Sequence, residues 1–306
     1  MPSKPTVSVI IVSYNVCDYL THCLDSLQNL DTEIPFDIWV VDNNSSDSTV
    51  SILEKKYSFV NLIKNNKNSG FAAANNIGIL QSKGNYVWLL NPDTIVANTA
   101  LDPLVQFLDS NPEYGACGSK LLNPDGSLQP STFPFPTVKN ETIRLFHLEK
   151  VFPKQFYQMQ TWDSSIPHNV DINQGASLML RRETIDQIGL LDEQFFMYTE
   201  EVDLCYRLIQ ANWKNAWIPT STVIHYGGQS TRQNKTAMFL QLYQTKIQFF
   251  RKHYGKEKTD TYKKIIYLAS LFRILPLSFK NLLRSNPDNK NLVHNYNQLI
   301  HFLPEY

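Results

Sequence analysis

Tyr86-Val87-Trp88-Leu89-Leu90-Asn91-Pro92-Asp93-Thr94 is the stretch whose reading decides the fold. Five apolar residues in succession suit a strand buried on both faces, and such strands belong to parallel sheets covered by helices. The run stops at once in Asn91-Pro92-Asp93, which sets a carboxylate and an amide at a strand's carboxyl end, where open α/β sheets bind ligands. The tripeptide recurs at Asn123-Pro124-Asp125, where Gly126 makes it a reverse turn, and at Asn286-Pro287-Asp288, in a polar stretch that reads as a loop. Only the first copy is expected to terminate a buried strand. Taken alone it is either a strand-to-helix turn or a ligand site, and its neighbours decide.

Upstream, Val7 to Val12 reads as a strand ending in Ser13-Tyr14-Asn15, and Leu20, Cys23, Leu24 and Leu27 recur at helical spacing. Phe36 to Val41 is a second strand, ending in Asp42 and followed by a helix over Thr49–Lys55. Val60 to Ile63 is a third, leading through Asn68-Ser69-Gly70 into an Ala-rich helix over Phe71–Leu80. This β-α-β-α-β-α-β order predicts an α/β fold with a Rossmann-like, mostly parallel central sheet and helices on both faces. Downstream, a helix over Leu101–Leu108 stops at Asn111-Pro112. Residues 115–175, rich in Pro, Phe and Asn, suit a lid or partner-binding region. Phe133, Phe135 and Trp162 there are either core residues or sugar-stacking rings. Regular pattern returns with Leu178-Met179-Leu180 and a helix over Arg182–Ile188.

The 306 residues carry 28 basic and 28 acidic side chains, enough chain for a sizeable core. The balance is uneven. Residues 240–306 hold eleven Lys/Arg against four Asp/Glu, leaving 17 against 24 elsewhere, so an acidic body precedes a basic tail. Four cysteines without a C-x-x-C pair suit buried thiols in a reducing compartment. The first apolar run is too short for a signal peptide, and no uncharged apolar stretch reaches the roughly 18 residues of a membrane span. The expected location is the cytoplasm. No nucleic-acid partner is expected.

The strand ends carry the chemistry. Asp42 after Trp39-Val40-Val41 repeats the logic of Asp93; its carboxylate can accept the ring N–H of a uracil or thymine, and Tyr14 can stack on the base. Ser46 and Asp47 are better placed than Asp42 to cap the next helix. The helix after Asn68-Ser69-Gly70 offers N–H groups to a phosphate. No G-x-x-x-x-G-K-[ST] occurs, and no G-x-G-x-x-G follows the first strand, which removes most support for ATP and nicotinamide enzymes. In Phe195-Phe196-Met197-Tyr198-Thr199-Glu200-Glu201-Val202-Asp203-Leu204-Cys205-Tyr206-Arg207, Thr199 can cap a helix with three carboxylates in its first turn. Asp203 and Arg207 are spaced for an i, i+4 pair. The apolar approach suggests a site rather than macrodipole complementation alone. Glu200 and Asp203 share a helix face, and Glu201 points about 100° away. His225, just before Gly227-Gly228, is either a loop residue or, with Asp93, part of a mixed N/O site for manganese or magnesium.

Collected, these motifs make residues 6–230 resemble the family 2 inverting glycosyltransferases of the GT-A fold, in their rhamnosyltransferase-like branch. The matching stretches are Val7 to Asn15, Val41 to Ser45, Asn68 to Gly78, Asn91-Pro92-Asp93 in the place of the Asp-x-Asp motif, Phe196 to Arg207, and His225. The resemblance implies a sugar moved with inversion from a dTDP or UDP donor to a hydroxyl of a saccharide or polyprenyl-linked acceptor. It implies nucleotide binding by Val12, Tyr14, Asp42, Asn68, Gly70 and Asn91, a Mn2+ or Mg2+ ion on Asp93 and His225, and Glu201 as catalytic base, with Glu200 and Asp203 as alternates. Asn91 leaves one carboxylate in the metal motif. Glu200-Glu201 stands where the family usually has Glu-Asp, so the base is one methylene longer. That departure is the support for the alternative, an inactive sugar-nucleotide-binding or scaffolding module; a nucleotidyltransferase lacks the basic Gly-rich loop it would need.

The expected organisation is a catalytic domain over 1–235, its nucleotide-binding half 1–110 and its acceptor half 111–235, followed by a basic helical extension over 236–306. Tyr262 to Leu283 is apolar but interrupted by Lys263, Lys264, Arg273 and Lys280, with Pro276 expected to break the helix. It suits either peripheral contact with the inner face of the plasma membrane or a homodimer contact through the C-terminal helices.

Overall fold

A computed structural model of the protein describes residues 5–229, 234–283 and 286–306. The chain divides into two units: Met1–Phe135 with Gln158–Phe196 and Glu200–Arg232, and Pro136–Tyr157 with Met197–Thr199 and Gln233–Tyr306. The expected C-terminal extension thus shares its unit with two segments from the body of the sequence.

The first unit opens with β1 (Val7–Ser13), α1 (Cys17–Gln28), β2 (Phe36–Asp42), α2 (Thr49–Lys56), β3 (Val60–Lys64), α3 (Phe71–Gln81) and β4 (Tyr86–Leu90). β1 pairs in parallel with both β2 and β4, and β2 with β3. All five residues of β4 are buried. Alternate residues of β1 serve opposite layers, as the two-residue period of a strand requires. Val7, Val9 and Ile11 join Leu20, Leu24 and Leu27 of α1 on one face, while Ile10 joins Ala72 and Ile79 of α3 on the other. Gly78 permits that second contact: a Cβ there would lie 2.7 Å from Ile10 Cγ2. Overpacking of this kind costs about 1–3 kcal/mol.

Asn91-Pro92-Asp93 is followed directly by another strand, β5 (Thr94–Val96), and α4 (Leu101–Ser110) comes only later. The turn is therefore strand-to-strand, because Thr94-Ile95-Val96 is β-branched throughout and finds an open partner in the chain's last strand. Next come β6 (Tyr114–Leu122), β7 (Leu128–Gln129) and β8 (Thr132–Phe133), then β9 (His168–Asn169), β10 (Ile172–Asn173), β11 (Ser177–Arg181), α6 (Arg182–Ile188), α7 (Glu200–Gln210) and β12 (Lys214–His225). Asn123-Pro124-Asp125-Gly126 closes the β6–β7 hairpin, and since β6 is mostly buried, this second copy of the tripeptide also ends a buried strand, contrary to expectation. The main sheet runs β3-β2-β1-β4-β11-β6-β12-β5. β11 runs antiparallel to β4 and β6, and β5 antiparallel to β12, so the sheet is mixed but mostly parallel. β12 tolerates Pro219 because its register against β6 jumps from Ile218 to Thr222, the irregular setting in which a strand accepts proline. Phe135 packs edge-on to Tyr206, and Trp162 stacks on His168 and meets Trp217, so both serve the core. All four cysteines are buried and unbridged.

The second unit contains α5 (Val138–Leu145), which the sequence pattern does not announce, with α8 (Lys235–Leu283) and α9 (Pro287–Phe302). Its core holds Phe249, Phe250 and Tyr262, the last two stacked at 4.3 Å. Glu141 is buried there. Burial alone would raise its pKa, but Lys246 at 2.8 Å, Arg144 and the Tyr262 hydroxyl hold it below the usual value. Two expectations are corrected here. α8 runs through Pro276 and is interrupted instead at Gly255 (φ 78°). Proline removes a single helical N–H bond and bends a helix without having to end it, whereas φ 78° lies outside the helical region. Asn286-Pro287-Asp288 is not a loop but a helix start: the Asn286 side chain accepts from Asp288 N at 2.9 Å, with proline at the first helical position.

Candidate active site

The topology gathers the polar strand ends on one rim. β1, β2 and β4 end there with Ser13, Asp42 and Leu90. β11 begins there, since Ser177 pairs with Leu90, and β12 ends there, since His225 pairs with Thr94. Asn91 N donates to Ala176 O at 3.1 Å, which ties the first turn to the start of β11.

Asp93 and His225 are both buried, with Asp93 Oδ1 3.3 Å from His225 Nε2. Tyr226 N donates to the Asp93 carbonyl at 3.0 Å and holds the two segments together. Asn91 Nδ2 also lies 3.3 Å from Nε2. The other ring nitrogen, Nδ1, is 2.7 Å from Gln129 Oε1. Below the turn, Cys23 meets Thr94 Oγ1 at 3.4 Å, and burial pushes its thiol up to about 12, so it stays neutral. Among the described residues no group of three or more His, Cys, Asp or Glu converges on a cation position. The pair Asp93 and His225 nevertheless fits a divalent ion: a carboxylate oxygen and an imidazole nitrogen 3.3 Å apart form a mixed donor set suited to manganese or magnesium.

At the β1–β2 corner Asp42 Oδ2 accepts from Ser45 N at 3.0 Å, while its buried Oδ1 and the buried Ser13 Oγ have no partner among the described residues. An orphaned carboxylate oxygen at a strand end is a receptor for an N–H donor. Tyr14 beside it is half-buried. The Val12 side chain packs with Val41 and Ala74, so it contributes to the core. As expected from the sequence, Asp47 rather than Asp42 serves the start of α2, accepting from Thr49 N at 3.0 Å.

Asn43, which sequence reasoning passed over, organises the next loop. Its Nδ2 donates to Asn68 Oδ1 (2.8 Å) and Gly70 O (3.1 Å), and its Oδ1 accepts from Ser69 N and Asn65 Nδ2, both at 3.0 Å. Gly70 adopts φ 85°, and a Cβ there would lie 2.3 Å from Phe196 O, so only glycine fits. The first N–H groups of α3 are already engaged: Gly70 N donates to Asn68 Oδ1 and Phe71 N to Phe196 O at 2.7 Å. Those two donors bind protein acceptors and are not themselves offered to a phosphate.

The same helix instead aims the acidic segment. Asn76 of α3 donates to Leu191 O and accepts from Leu191 N, while Phe71 holds Phe196 O, so both ends of 191–196 are fixed just ahead of α7. Tyr198 (φ 69°) and Thr199 (φ 73°) are both left-handed, an outlying conformation for a β-branched residue, and such strain gathers at functional sites. Asp203 is fully buried and bound by Arg207 Nε at 2.8 Å, and the same guanidinium donates to Ile188 O and Leu190 O. Its carboxylate is thus committed to the fold. Glu200 and Glu201 differ: Oε2 of each is buried with no partner among the described residues. Burial raises the pKa of both, and in Glu200 the neighbouring Glu201 charge raises it further. Glu201 stands beside Gly175, one residue from the Ala176 that binds Asn91, which puts it in the neighbourhood of the Asp93 turn.

A mostly parallel sheet with nucleotide-type strand ends, an Asp–His pair on the rim and an isolated carboxylate pair beside it define a GT-A-type glycosyltransferase scaffold. Its solved neighbours include a Pyrobaculum calidifontis mannosyltransferase in complex with GDP-Man and Mn2+ (16% identity, TM-score 0.57, covering 98% of this chain and 86% of that one). GalNAc-T7 with UDP, GalNAc and Mn2+ aligns at TM-score 0.56 and 17% identity over 72% of this chain, which spans 43% of that one. The chain belongs to glycosyl transferase family 2, whose model matches residues 8–189. It is rhamnosyltransferase-like. It is 30% identical over 238 residues to the N-acetylglucosaminyl-diphospho-decaprenol L-rhamnosyltransferase of Mycobacterium tuberculosis (73% of this chain, 76% of the relative), and 27% identical over 237 residues to rhamnosyltransferase WbbL of Escherichia coli (74% and 85%).

Proposed function

We propose that the protein transfers rhamnose or a similar sugar, with inversion, from a dTDP or UDP donor to a hydroxyl of a polyprenyl-linked saccharide, in a divalent-metal-dependent reaction of cell-surface polysaccharide synthesis. The observation that carries this reading is the approach of Asp93 Oδ1 and His225 Nε2 to 3.3 Å, with Glu201, whose Oε2 has no partner among the described residues, in the neighbourhood of the same turn. Asp42 Oδ1 accepts the base N3–H, and Tyr14 stacks on the ring. Asp93 and His225 hold the cation, and Asn91 orients the diphosphate beside them. A divalent ion bound there supplies Lewis-acid stabilisation of the leaving diphosphate. Glu201 accepts the proton of the acceptor hydroxyl as its oxygen attacks the anomeric carbon; the C–O bond to the diphosphate breaks on the opposite face, and the nucleoside diphosphate leaves. Thermal denaturation of the purified protein tests the donor half. UDP or dTDP with Mn2+ is expected to raise Tm more than GDP or ADP with Mn2+, because a single pyrimidine ring brings its N3–H to Asp42 while stacking on Tyr14, whereas the donors of a purine sit on a larger ring system. An equal shift from all four nucleotides would overturn the base assignment. Metal-dependent binding without transfer to any lipid-linked acceptor would leave a sugar-nucleotide-binding module.

The partner of the second unit is proposed to be an anionic lipid surface at the cytoplasmic face. No helix among the described residues is long and apolar enough to cross a membrane. On α8, however, Leu268, Phe272, Leu275 and Phe279 follow at helical spacing and are each more than half exposed. Phe146 packs on Phe272 and His147 meets Arg273, which brings the exposed Leu148, Val151 and Phe152 alongside. Residues 261–287 hold five Lys/Arg and no Asp or Glu. Antiparallel self-pairing of this face would set Lys264 against Lys280, which disfavours a homodimer and favours phosphate headgroups. The protein is expected to cosediment with phosphatidylglycerol vesicles at low salt, to detach as salt rises, and to lose binding at least tenfold in Phe272→Glu/Phe279→Glu. Absence of cosedimentation, with a dimer in solution that the same variant dissociates, would make the stripe a subunit contact.

A further inference from the structure

The hydrogen bonds around Gln129 assign a proton that the ring of His225 cannot assign for itself. Gln129 Nε2 lies 3.0 Å from the carbonyl oxygen of His225 and 2.8 Å from Asn123 Oδ1. A backbone carbonyl only accepts, so the nitrogen end of the amide must face it. Asn123 agrees, since its own nitrogen donates to Ser127 Oγ at 2.9 Å. The amide of Gln129 therefore has one orientation, with Oε1 turned to His225 Nδ1 at 2.7 Å. An amide oxygen cannot donate, so Nδ1 carries the hydrogen, and the neutral ring keeps its lone pair on Nε2.

We infer that Gln129 is a positioning residue that fixes His225 in the Nδ1–H form and turns its Nε2 lone pair toward Asp93. This rests on the reading of Asp93 and His225 as metal ligands, although the tautomer itself does not. The β6–β7 hairpin delivers the residue: Asn123-Pro124-Asp125-Gly126 reverses the chain, and Gln129 returns opposite Leu121. A ligand histidine whose second nitrogen is held by an acceptor keeps its orientation and basicity, and loss of such a partner costs about 10–100-fold in metal affinity. Gln129 also donates to the backbone of the residue it orients, so ring and chain are clamped by one amide.

Nitrogen-15 NMR of histidine-labelled, metal-free protein, with His225 assigned by its loss in His225→Asn, is expected to show a protonated Nδ1 and an unprotonated Nε2. Titration with Mn2+, alone and with UDP, is expected to show Gln129→Leu weakened about 10–100-fold. Gln129→Glu is expected to stay within a few-fold of the parent, because a carboxylate still accepts from Nδ1. Neither variant can donate to the His225 carbonyl, so a merely structural role would weaken both alike. An Nε2–H form in the parent, equal loss in both variants, or parental affinity in Gln129→Leu would overturn the inference. Asp93→Ala, titrated in parallel, separates the two readings: if it too binds Mn2+ like the parent, the metal-ligand reading fails. Should Gln129→Leu not fold, the parent spectrum and Gln129→Glu still decide.

Discussion

Glu201→Gln is expected to bind nucleotide and Mn2+ like the parent and to transfer sugar about a hundred- to ten-thousandfold more slowly, the usual contribution of a general base. The amide keeps the shape and size of the carboxylate but cannot accept the acceptor's proton. The prediction has a pH signature. Burial raises the Glu201 pKa, so the base is ionised only above the ordinary carboxylate range, and kcat should rise with pH through that raised value. The extra methylene relative to the family's usual aspartate moves the carboxylate by about one C–C bond, and displacements near 1 Å can cost about a hundredfold. Glu201→Asp is thus a direct measure of whether the surroundings are built for the longer side chain. A Glu201→Gln enzyme with parental kcat would move the base to Glu200, since Asp203 is bound by Arg207.

Glu200→Gln should affect rate less and stability more. A carboxyl whose pKa is raised on folding contributes stability that is fully present below its unfolded pKa and lost as pH rises through the folded one. Burial and the Glu201 charge raise Glu200 well above its ordinary value. The parent should therefore lose Tm relative to Glu200→Gln as pH increases. A pH-independent difference between the two proteins would mean that Glu200 ionises as an ordinary surface carboxylate.

Local patterns carried the first half of the fold because its strands and helices are short, strongly apolar and joined in sequence order. Phe71–Leu80 was legible from its alanine-rich composition after Asn68-Ser69-Gly70 and Leu101–Leu108 from its stop at Asn111-Pro112, and the observed helices differ only at their ends. Patterns of this kind do not encode long-range pairing. Nothing in Ser177–Arg181 says that it enters the sheet antiparallel, and nothing in Thr94–Val96 says that it waits for β12. The site divides in the same way. Asp42, Asp93 and His225 were visible because each ends a strand. Gln129 was not, because its meaning depends on a meeting with a residue 96 positions away. The hairpin that delivers it was read correctly as a turn, yet a turn does not state what its second arm will touch. Asn43 and Asn76 escaped for a related reason: asparagines in loops and helices are common, and only buried bonds to distant backbone mark these two. Pro276 misled because a helix breaker was weighed without its surroundings.

Asp93→Asn is expected to abolish metal-dependent transfer, with kcat/KM down by roughly three orders of magnitude, about 4 kcal/mol, while raising Tm by a few degrees. The two effects have one cause. With Nδ1–H fixed by Gln129, a lone pair on His225 Nε2 meets the amide donor Asn91 Nδ2 and Asp93 Oδ1, each at 3.3 Å, and the contact with the carboxylate becomes favourable with a cation between the two. Among the described residues the remaining bonds of Asp93 are few. Its carbonyl accepts from Tyr226 N, which no side-chain change removes, and its Oδ2 meets Gln229 N at a long 3.5 Å. An asparagine can rotate its amide so that nitrogen donates to Nε2, which converts a repulsion into a hydrogen bond worth about 1 kcal/mol. Sites held ready for a charged ligand commonly gain stability when the charge is removed. Adding Mn2+ with UDP should reverse the order, raising Tm of the parent and leaving Asp93→Asn unchanged. A metal-free Asp93→Asn less stable than the parent would mean that His225 is an imidazolium paired with Asp93, and the lone-pair geometry would be wrong; a variant still stabilised by Mn2+ with UDP would place the cation on other residues.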